Sequence, residues 1–389
     1  MLPLPRYKHR YNNLMPEHPD VLVIGGGVIG LTAAYFLARD GLRVEVADQG
    51  DFGREASWAG AGILPPGNPA LARAPLDRLR AHSAALFPTL SAELFGRTGI
   101  DNGYVRCGGV EFAIADEEDV TEEWRGEGIR CEPLDAKALR DLEPALAPEL
   151  GPATHLPDLA QVRSPRHVKA LLAGCESHGV RLHAGCPAHA FDHRDGCVTA
   201  VQTGTGTMRA GHFLLATGAW TDPLLERLGW RPGIRPVRGQ IACLNTGVSL
   251  VRRVLLHGAR YLVPRLDGRL LIGSTEEDAG FDKRTTAGAI GGLLEFAISL
   301  VPALVEAHVE RCWAGLRPGG PDGLPFIGPV PGFDNLFVAA GHYRAGIQLS
   351  PATGLVLKEL LLGQELTVAL EPFRLDRQPA PPRRPAFRS

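Results

Sequence analysis

The sequence reads as an α/β fold in which a nucleotide-binding domain is interleaved with a second, mixed α+β domain. Three observations carry that reading. Residues 20–50, "DVLVIGGGVIGLTAAYFLARDGLRVEVADQG", join an apolar strand-like run, a glycine turn, a helical run and a second strand. Buried-strand patterns of the same kind, "HFLLATG" and "NLFVAAGH", return much later, separated by strand-rich stretches. The 47 Gly and 32 Pro in 389 residues suit many tight turns rather than a helical bundle. Together these predict a Rossmann-like domain assembled from separated pieces of chain.

Bulk properties narrow the class. With 44% hydrophobic and 22% charged residues the chain is expected to be globular and soluble. A formal net charge of -2 favours neither nucleic acid nor an anionic membrane. The 7 Cys are scattered without a C-x-x-C pair, which points to a reducing, cytoplasmic setting rather than a disulfide framework. No apolar run is long enough to span a bilayer. Residues 1–19 are basic and Pro-interrupted, without the apolar core of a signal peptide, and are expected to be a flexible lead. Residues 377–389, "RQPAPPRRPAFRS", are expected to be a flexible tail.

The elements follow in order. "VIGLTAAYFLARDG" has helical spacing and stops at Gly41, and "LRVEVAD" is the second strand. Residues 76–95 read as an amphipathic helix interrupted at Pro88, and "GGVEFAIA" as a strand. "DAKALRDLEPAL" is a short helix with Asp135 as its cap. "SPRHVKALLAGCESHGVRLHAG" is helix then strand, with Ser164 as cap and Pro165 at the first helical position. A hairpin and the buried strand "HFLLATG" come next. "IRPVRGQIACL" and "ARYLVPRLDGRLLIGST" are strand-rich, with a turn at Asp267 and Gly268. "AGAIGGLLEFAISLVPAL" is helical. "NLFVAAGH" and the helix "SPATGLVLKELLLG" close the folded part.

Gly25-Gly26-Gly27-Val28-Ile29-Gly30 matches G-x-G-x-x-G at a strand-to-helix turn. Gly25 suits the tight turn, Gly27 the approach of a pyrophosphate, and Gly30 close packing of the helix. The helix N-terminus adds free N–H groups and positive potential. Asp48, ending the second strand, can accept from a ribose hydroxyl. The small residues of "GREASWAGAGILPP", 53–66, permit close passage of an extended cofactor, and Ser57 can donate to a phosphate; an ordinary small-residue loop is the alternative.

Several blocks carry a family resemblance: "GREASWAGAGIL", "LLATGAWT", "YLVPRLDGRLLIGST" and "CWAGLRPGGPDGLPFIGPVPG" followed by "LFVAAGHYRAGI". Between residue 20 and about residue 370 the chain resembles the D-amino acid oxidase superfamily of flavoproteins, and within it the glycine oxidase family. The resemblance implies a non-covalent FAD domain in three pieces, 20–84, 166–229 and 313–376, and a substrate domain in two, 85–165 and 230–312. By motif, Gly25, Gly27, Val28, Ile29, Gly30 and Asp48 would hold the ADP half of FAD. Arg54, Ser57, Ala61 and Gly62 would line the pyrophosphate and flavin, and Thr217 and Gly218 the diphosphate side. The turn holding Gly341, His342, Gly346 and Ile347 would line the ring.

Arg317, locked by Pro318 in an apolar segment, suits a carboxylate held by two parallel hydrogen bonds, or a structural ion pair. In the family the arginine at this position binds the substrate carboxylate. Tyr261 opens "YLVPR", either as packing or, as the family has it, closing the pocket on the same carboxylate. Arg344 would border the substrate entrance, the alternative being an ion pair that anchors its turn. The chain departs from the family pattern at Ala345, where Asn is common, and at Asp48, where Glu is frequent. Glu276 lies where the family varies. His183, Cys186, His189 and His193 cluster in sequence, but on strand and hairpin they should point apart, so no metal is expected. No Ser–His–Asp set or paired carboxylates stand out, which suits a reaction that depends on positioning.

The resemblance thus implies FAD-dependent oxidative deamination of glycine or another small amino acid. Hydride would pass from Cα to flavin N5, oxygen would be reduced to hydrogen peroxide, and the imine would feed thiamine thiazole synthesis. The other reading is a D-amino acid or sarcosine dehydrogenase with a different electron acceptor. The expected partners are a small amino acid, oxygen and further copies of the chain, with no nucleic acid and no membrane.

Overall fold

The computed structural model describes residues 18–113 and 121–379. Two large sheets organise it. The first has six strands in the spatial order Phe326–Pro329, Leu336–Ala340, His212–Leu215, Val21–Ile24, Val44–Ala47 and Arg181–His183. Neighbours are parallel except at the Phe326–Pro329 edge. The strand Val21–Ile24 is central and buried on both faces, which explains its uninterrupted apolar run. Val21 and Val23 pack with residues of the helices Val28–Arg39, Pro75–Thr98, Ser164–Ser177 and Gly346–Leu361. Leu22 and Ile24 face the other way, onto Phe191, Val198 and Val201 of a three-stranded sheet.

The second sheet has eight strands, ordered His308–Gly319, Arg235–Asn245, Arg269–Gly273, Arg260–Pro264, Val254–His257, Gly109–Phe112, Ala153–Leu156 and Glu132–Leu134. One face packs on the helix Ala287–Leu300 through Leu293, Phe296 and Leu300. The other turns Ile241, Tyr261 and Val263 toward Ala61, on the loop after the strand Val44–Ala47. Strands of the two sheets alternate along the chain, as the separated sequence pieces required. Two expected boundaries, 84/85 and 312/313, fall inside continuous elements, the helix Pro75–Thr98 and the strand His308–Gly319.

Three local expectations are corrected. The helix Pro75–Thr98 runs through Pro88 without a break. Ser164 does not cap its helix: Arg163 holds the cap position, and the Ser164 hydroxyl is buried without a hydrogen-bond partner. The last long helix begins at Gly346, not at Ser350, and contains Pro351. Pro351 cannot donate to the Ile347 carbonyl, and the Ser350 hydroxyl does so instead at 3.0 Å. Asp135, by contrast, caps as expected, accepting from the N–H groups of Lys137 and Ala138.

Most of the expected lead lies outside the described residues, as does the tail beyond residue 379. Arg377, expected to open that tail, is instead anchored. Its guanidinium forks onto Asp322 at 2.8 and 2.9 Å and lies 3.8 Å over the Phe326 ring. Burial alone would raise the Asp322 carboxyl, but the Arg377 hydrogen bonds and charge outweigh it and hold it below its ordinary value. Arg377→Ala should therefore cost about 3 kcal/mol, because it strands a buried carboxylate. Denaturant unfolding at neutral pH checks this. The wild-type advantage should be full above about pH 4 and fade as pH falls through the depressed carboxyl value.

Candidate active site

A continuous cleft runs from the C-terminal ends of the parallel strands, at Ile24, Ala47, Ala216 and Ala340, to the inner face of the eight-stranded sheet at Ile241, Tyr261 and Arg317. Ligands of open α/β sheets bind at such strand ends.

At the first end, Gly25 has φ +107°, and a Cβ there would stand 2.3 Å from the Ala216 carbonyl oxygen. A Cβ on Gly30 would lie 1.9 Å from the Gly25 carbonyl oxygen. The outer two glycines therefore let the loop fold onto itself and onto the next strand. Gly27, Val28 and Ile29 line the cleft, while Gly30 supports the loop from behind. The Ser57 hydroxyl accepts from the Val28 N–H at 2.9 Å, which leaves its own proton free to donate. Asp48 accepts from Gly26 N–H at 2.7 Å and Gly50 N–H at 2.9 Å. Burial, with Glu55 and Asp51 nearby, pushes its carboxyl above the ordinary value despite those bonds. Arg54, Ala61, Gly62, Thr217 and Gly218 complete this end.

At the other end, Arg317 sits on the strand His308–Gly319, opposite Val237. Its guanidinium donates to the Ser274 hydroxyl at 2.6 Å and the Thr275 carbonyl at 3.1 Å. No carboxylate lies within ion-pair distance of it among the described residues. Burial holds it below its ordinary pKa, yet an arginine stays charged at any pH of interest. The guanidinium lies over Gly239 of the adjacent strand, where a Cβ would stand 2.2 Å from Nη2. Tyr261 is buried, and its ring occupies the space that a side chain on Gly273 would fill.

The turn after the strand Leu336–Ala340 joins the two ends. Its Tyr343 N–H donates to the Pro318 carbonyl at 3.0 Å, and His342 bridges to Gly319. His342 is buried, bonds Thr353 through Nε2 at 3.1 Å, and is pushed down to about 3 by burial, so it is neutral. His342, Gly346 and Ile347 line the cleft; Gly341 shapes the turn from behind, at φ +77°. Arg344 lines the cleft and donates to the Ala259 carbonyl at 2.9 Å, just before Tyr261, with Glu276 3.8 Å away. Gln348, in the first turn of the following helix, is buried against the cleft, and its amide nitrogen has no hydrogen-bond partner.

Of the His and Cys residues close in sequence, Cys186 and His189 both line the cleft, while His183 and His193 turn to other partners. His183 bonds Glu45 at 2.8 Å, Cys186 packs beside Thr205 and Met208, and His193 meets the Phe333 ring edge-on. Among the described residues no helix is long and apolar enough to cross a membrane.

The glycine loop, the carboxylate after the second strand and the cleft along the strand ends define a dinucleotide-binding α/β protein. The chain belongs to the FAD dependent oxidoreductase family, which it matches over residues 20–360. It is 39% identical to a glycine oxidase from Pseudomonas putida, an alignment covering 91% of this chain and 97% of that protein. It is 35% identical to the bifunctional protein ThiO/ThiG of a Synechocystis species, covering 92% of this chain and 54% of that protein. The crystal structure of glycine oxidase from Geobacillus kaustophilus superimposes with a TM-score of 0.89 at 36% identity, covering 93% of this chain and all of that one.

The cleft fits FAD. The unfilled cradle at Gly27, the free Ser57 proton and the unpartnered Gln348 amide lie along one path that ends at Tyr261 and Arg317. Reading the sequence missed Gly239, Gln348 and the role of Tyr343. A glycine within the strand pattern "RPVRGQIACL" was the available signal for the first.

Gly239→Ala is expected to fold, since the new Cβ meets the movable end of Arg317 rather than backbone. It should displace the guanidinium and weaken binding of a small carboxylate such as acetate about 10–100-fold, the worth of a charged hydrogen bond. A spectral titration of the FAD-loaded protein checks this.

Proposed function

We propose that the protein oxidises glycine or a similarly small amino acid to its imine. One observation carries the proposal: a charged guanidinium, Arg317, is held in the cleft with no carboxylate among the described residues within ion-pair distance of it. A cation in that position suits a ligand that brings its own carboxylate. Arg317 and Tyr261 clamp that carboxylate, and Arg344 borders the entrance. The clamp orients the small molecule so that its Cα–H faces the ring end of the cleft, and the apolar walls exclude water.

Gly25, Gly27, Val28, Ile29, Gly30 and Asp48 hold the ADP half of FAD. Arg54, Ser57, Ala61, Gly62, Thr217 and Gly218 hold its middle. Gly341, His342, Gly346 and Ile347 form the wall and helix N-terminus at its ring. Bound FAD supplies a two-electron acceptor that oxygen regenerates with release of hydrogen peroxide. The positive potential of the helix beginning at Gly346 favours negative charge beside it. The likeness to glycine oxidases and to a fused ThiO/ThiG protein supports glycine as substrate and a place in thiazole formation for thiamine. A cytoplasmic enzyme built from several copies of the chain completes the reading.

Anaerobic addition of glycine should bleach the visible absorbance of the FAD-loaded protein, and air should restore it. Recovery only with an added acceptor would make the enzyme a dehydrogenase instead. Arg317→Met should keep its FAD but lose about 100-fold or more in kcat/KM for glycine. Unchanged kinetics in that variant would remove Arg317 from the reaction.

A further inference from the structure

We propose that Tyr343 and Glu276 form a proton exit from the substrate's ammonium group to solvent. This inference rests on reading the cleft as an amine-oxidising site. Four features of the pair carry it.

Tyr343 lines the cleft beside Arg317, on the turn stitched to the end of that arginine's strand. Its backbone is left-handed, with φ +48°, a conformation that disfavours any residue with a Cβ. Its hydroxyl donates to Glu276. Glu276 in turn is 41% exposed at the side chain, so its carboxylate reaches water. One tyrosine thus spans from the cleft to a solvated carboxylate.

The chemistry needs such a path. A free amino acid at neutral pH carries an ammonium group. Its nitrogen has no lone pair to stabilise the imine until one N–H proton leaves. The groups facing Tyr343 and Glu276 are Arg317 on its strand and Arg344 on the same turn, and Tyr261, on the neighbouring hairpin, faces Arg317. Both arginines are cations that disfavour an ammonium but cannot accept its proton. Tyr261 is committed to the carboxylate. Asp48 lies at the other end of the cleft.

The transfer balances. The ammonium N–H bond breaks and the nitrogen keeps the electron pair. The proton forms an O–H bond at Tyr343 Oη while the original Tyr343 proton passes to Glu276 Oε1. Glu276 then releases that proton to water. No electrons are transferred. Burial, then the Glu276 hydrogen bond, pushes the Tyr343 hydroxyl up to about 12, so it relays a proton without standing as a phenolate.

The test uses the full-length FAD-loaded protein and its Tyr343→Phe and Glu276→Gln variants. The anaerobic bleaching rate with glycine is followed from about pH 6.5 to about pH 10, across the titration of a free amine. A pH indicator follows proton release on mixing. Each variant should bleach about 10–100-fold more slowly at neutral pH, as expected for loss of a general base. Each should approach the wild-type rate at high pH, where glycine arrives already neutral. The early proton release should disappear in both. A loss that is equal at every pH, with proton release intact, would show that the pair only supports the turn and would overturn the relay. Variants as fast as wild type at neutral pH would overturn it too. A wild-type protein that no amino acid bleaches would overturn the amine-oxidation reading itself, which keeps the two failures distinct.

Discussion

An arginine side chain pressed over a glycine of the neighbouring strand, with no carboxylate among the described residues to meet it, sets the terms for the rest of the cleft. A half-buried guanidinium is costly unless its donors are used, and Ser274 and Thr275 use only part of them. The remaining capacity faces the cleft. Gly239 provides the space, and the antiparallel pairing of Arg235–Asn245 with His308–Gly319 fixes the register that puts glycine under guanidinium. A shift of one residue would turn Arg317 to the opposite face of the sheet.

The two sheets depend on each other at this place. The Trp313 indole, on the Arg317 strand, donates to the Ala59 carbonyl of the loop after the second parallel strand at 3.1 Å. Arg265, buried at the end of the Tyr261 strand, donates to the Ala61 carbonyl at 2.6 Å. The turn at Tyr343 ties the strand Leu336–Ala340 to Pro318. Four separate stretches of chain are thus hydrogen-bonded around one cleft. The glycine-loop end and the Arg317 end of the cleft are tied together by these bonds, as positioning of a small substrate demands.

Much of this was legible in the sequence because it is local. The glycine loop, its strand, its helix and Asp48 lie within thirty or so residues and obey short-range rules. Arg317 stood out because Pro318 and apolar neighbours surround its charge, but its local sequence left a bound carboxylate and a structural ion pair equally open, and only the family resemblance favoured the first. What was not legible depends on register and on distant partners. Gly239 matters only because its strand pairs with that of Arg317. Tyr343 matters only because the loop after Gly273 brings Glu276 to its hydroxyl. Arg377 looked like part of a basic tail because nothing nearby announces Asp322 as its partner. The failed Ser164 cap and the unbroken helix at Pro88 show tertiary packing overriding local preference.

The most direct test of the central claim compares glycine with methylamine as anaerobic reductants of the FAD-loaded protein. Methylamine keeps the amine and loses the carboxylate. If Arg317 is held open for that carboxylate, glycine should reduce the flavin while methylamine at equal concentration should do so at least about 100-fold more slowly, the loss of a bidentate charged contact. Equal rates for the two would mean that the cleft does not read a carboxylate, and the assignment of Arg317 would fall.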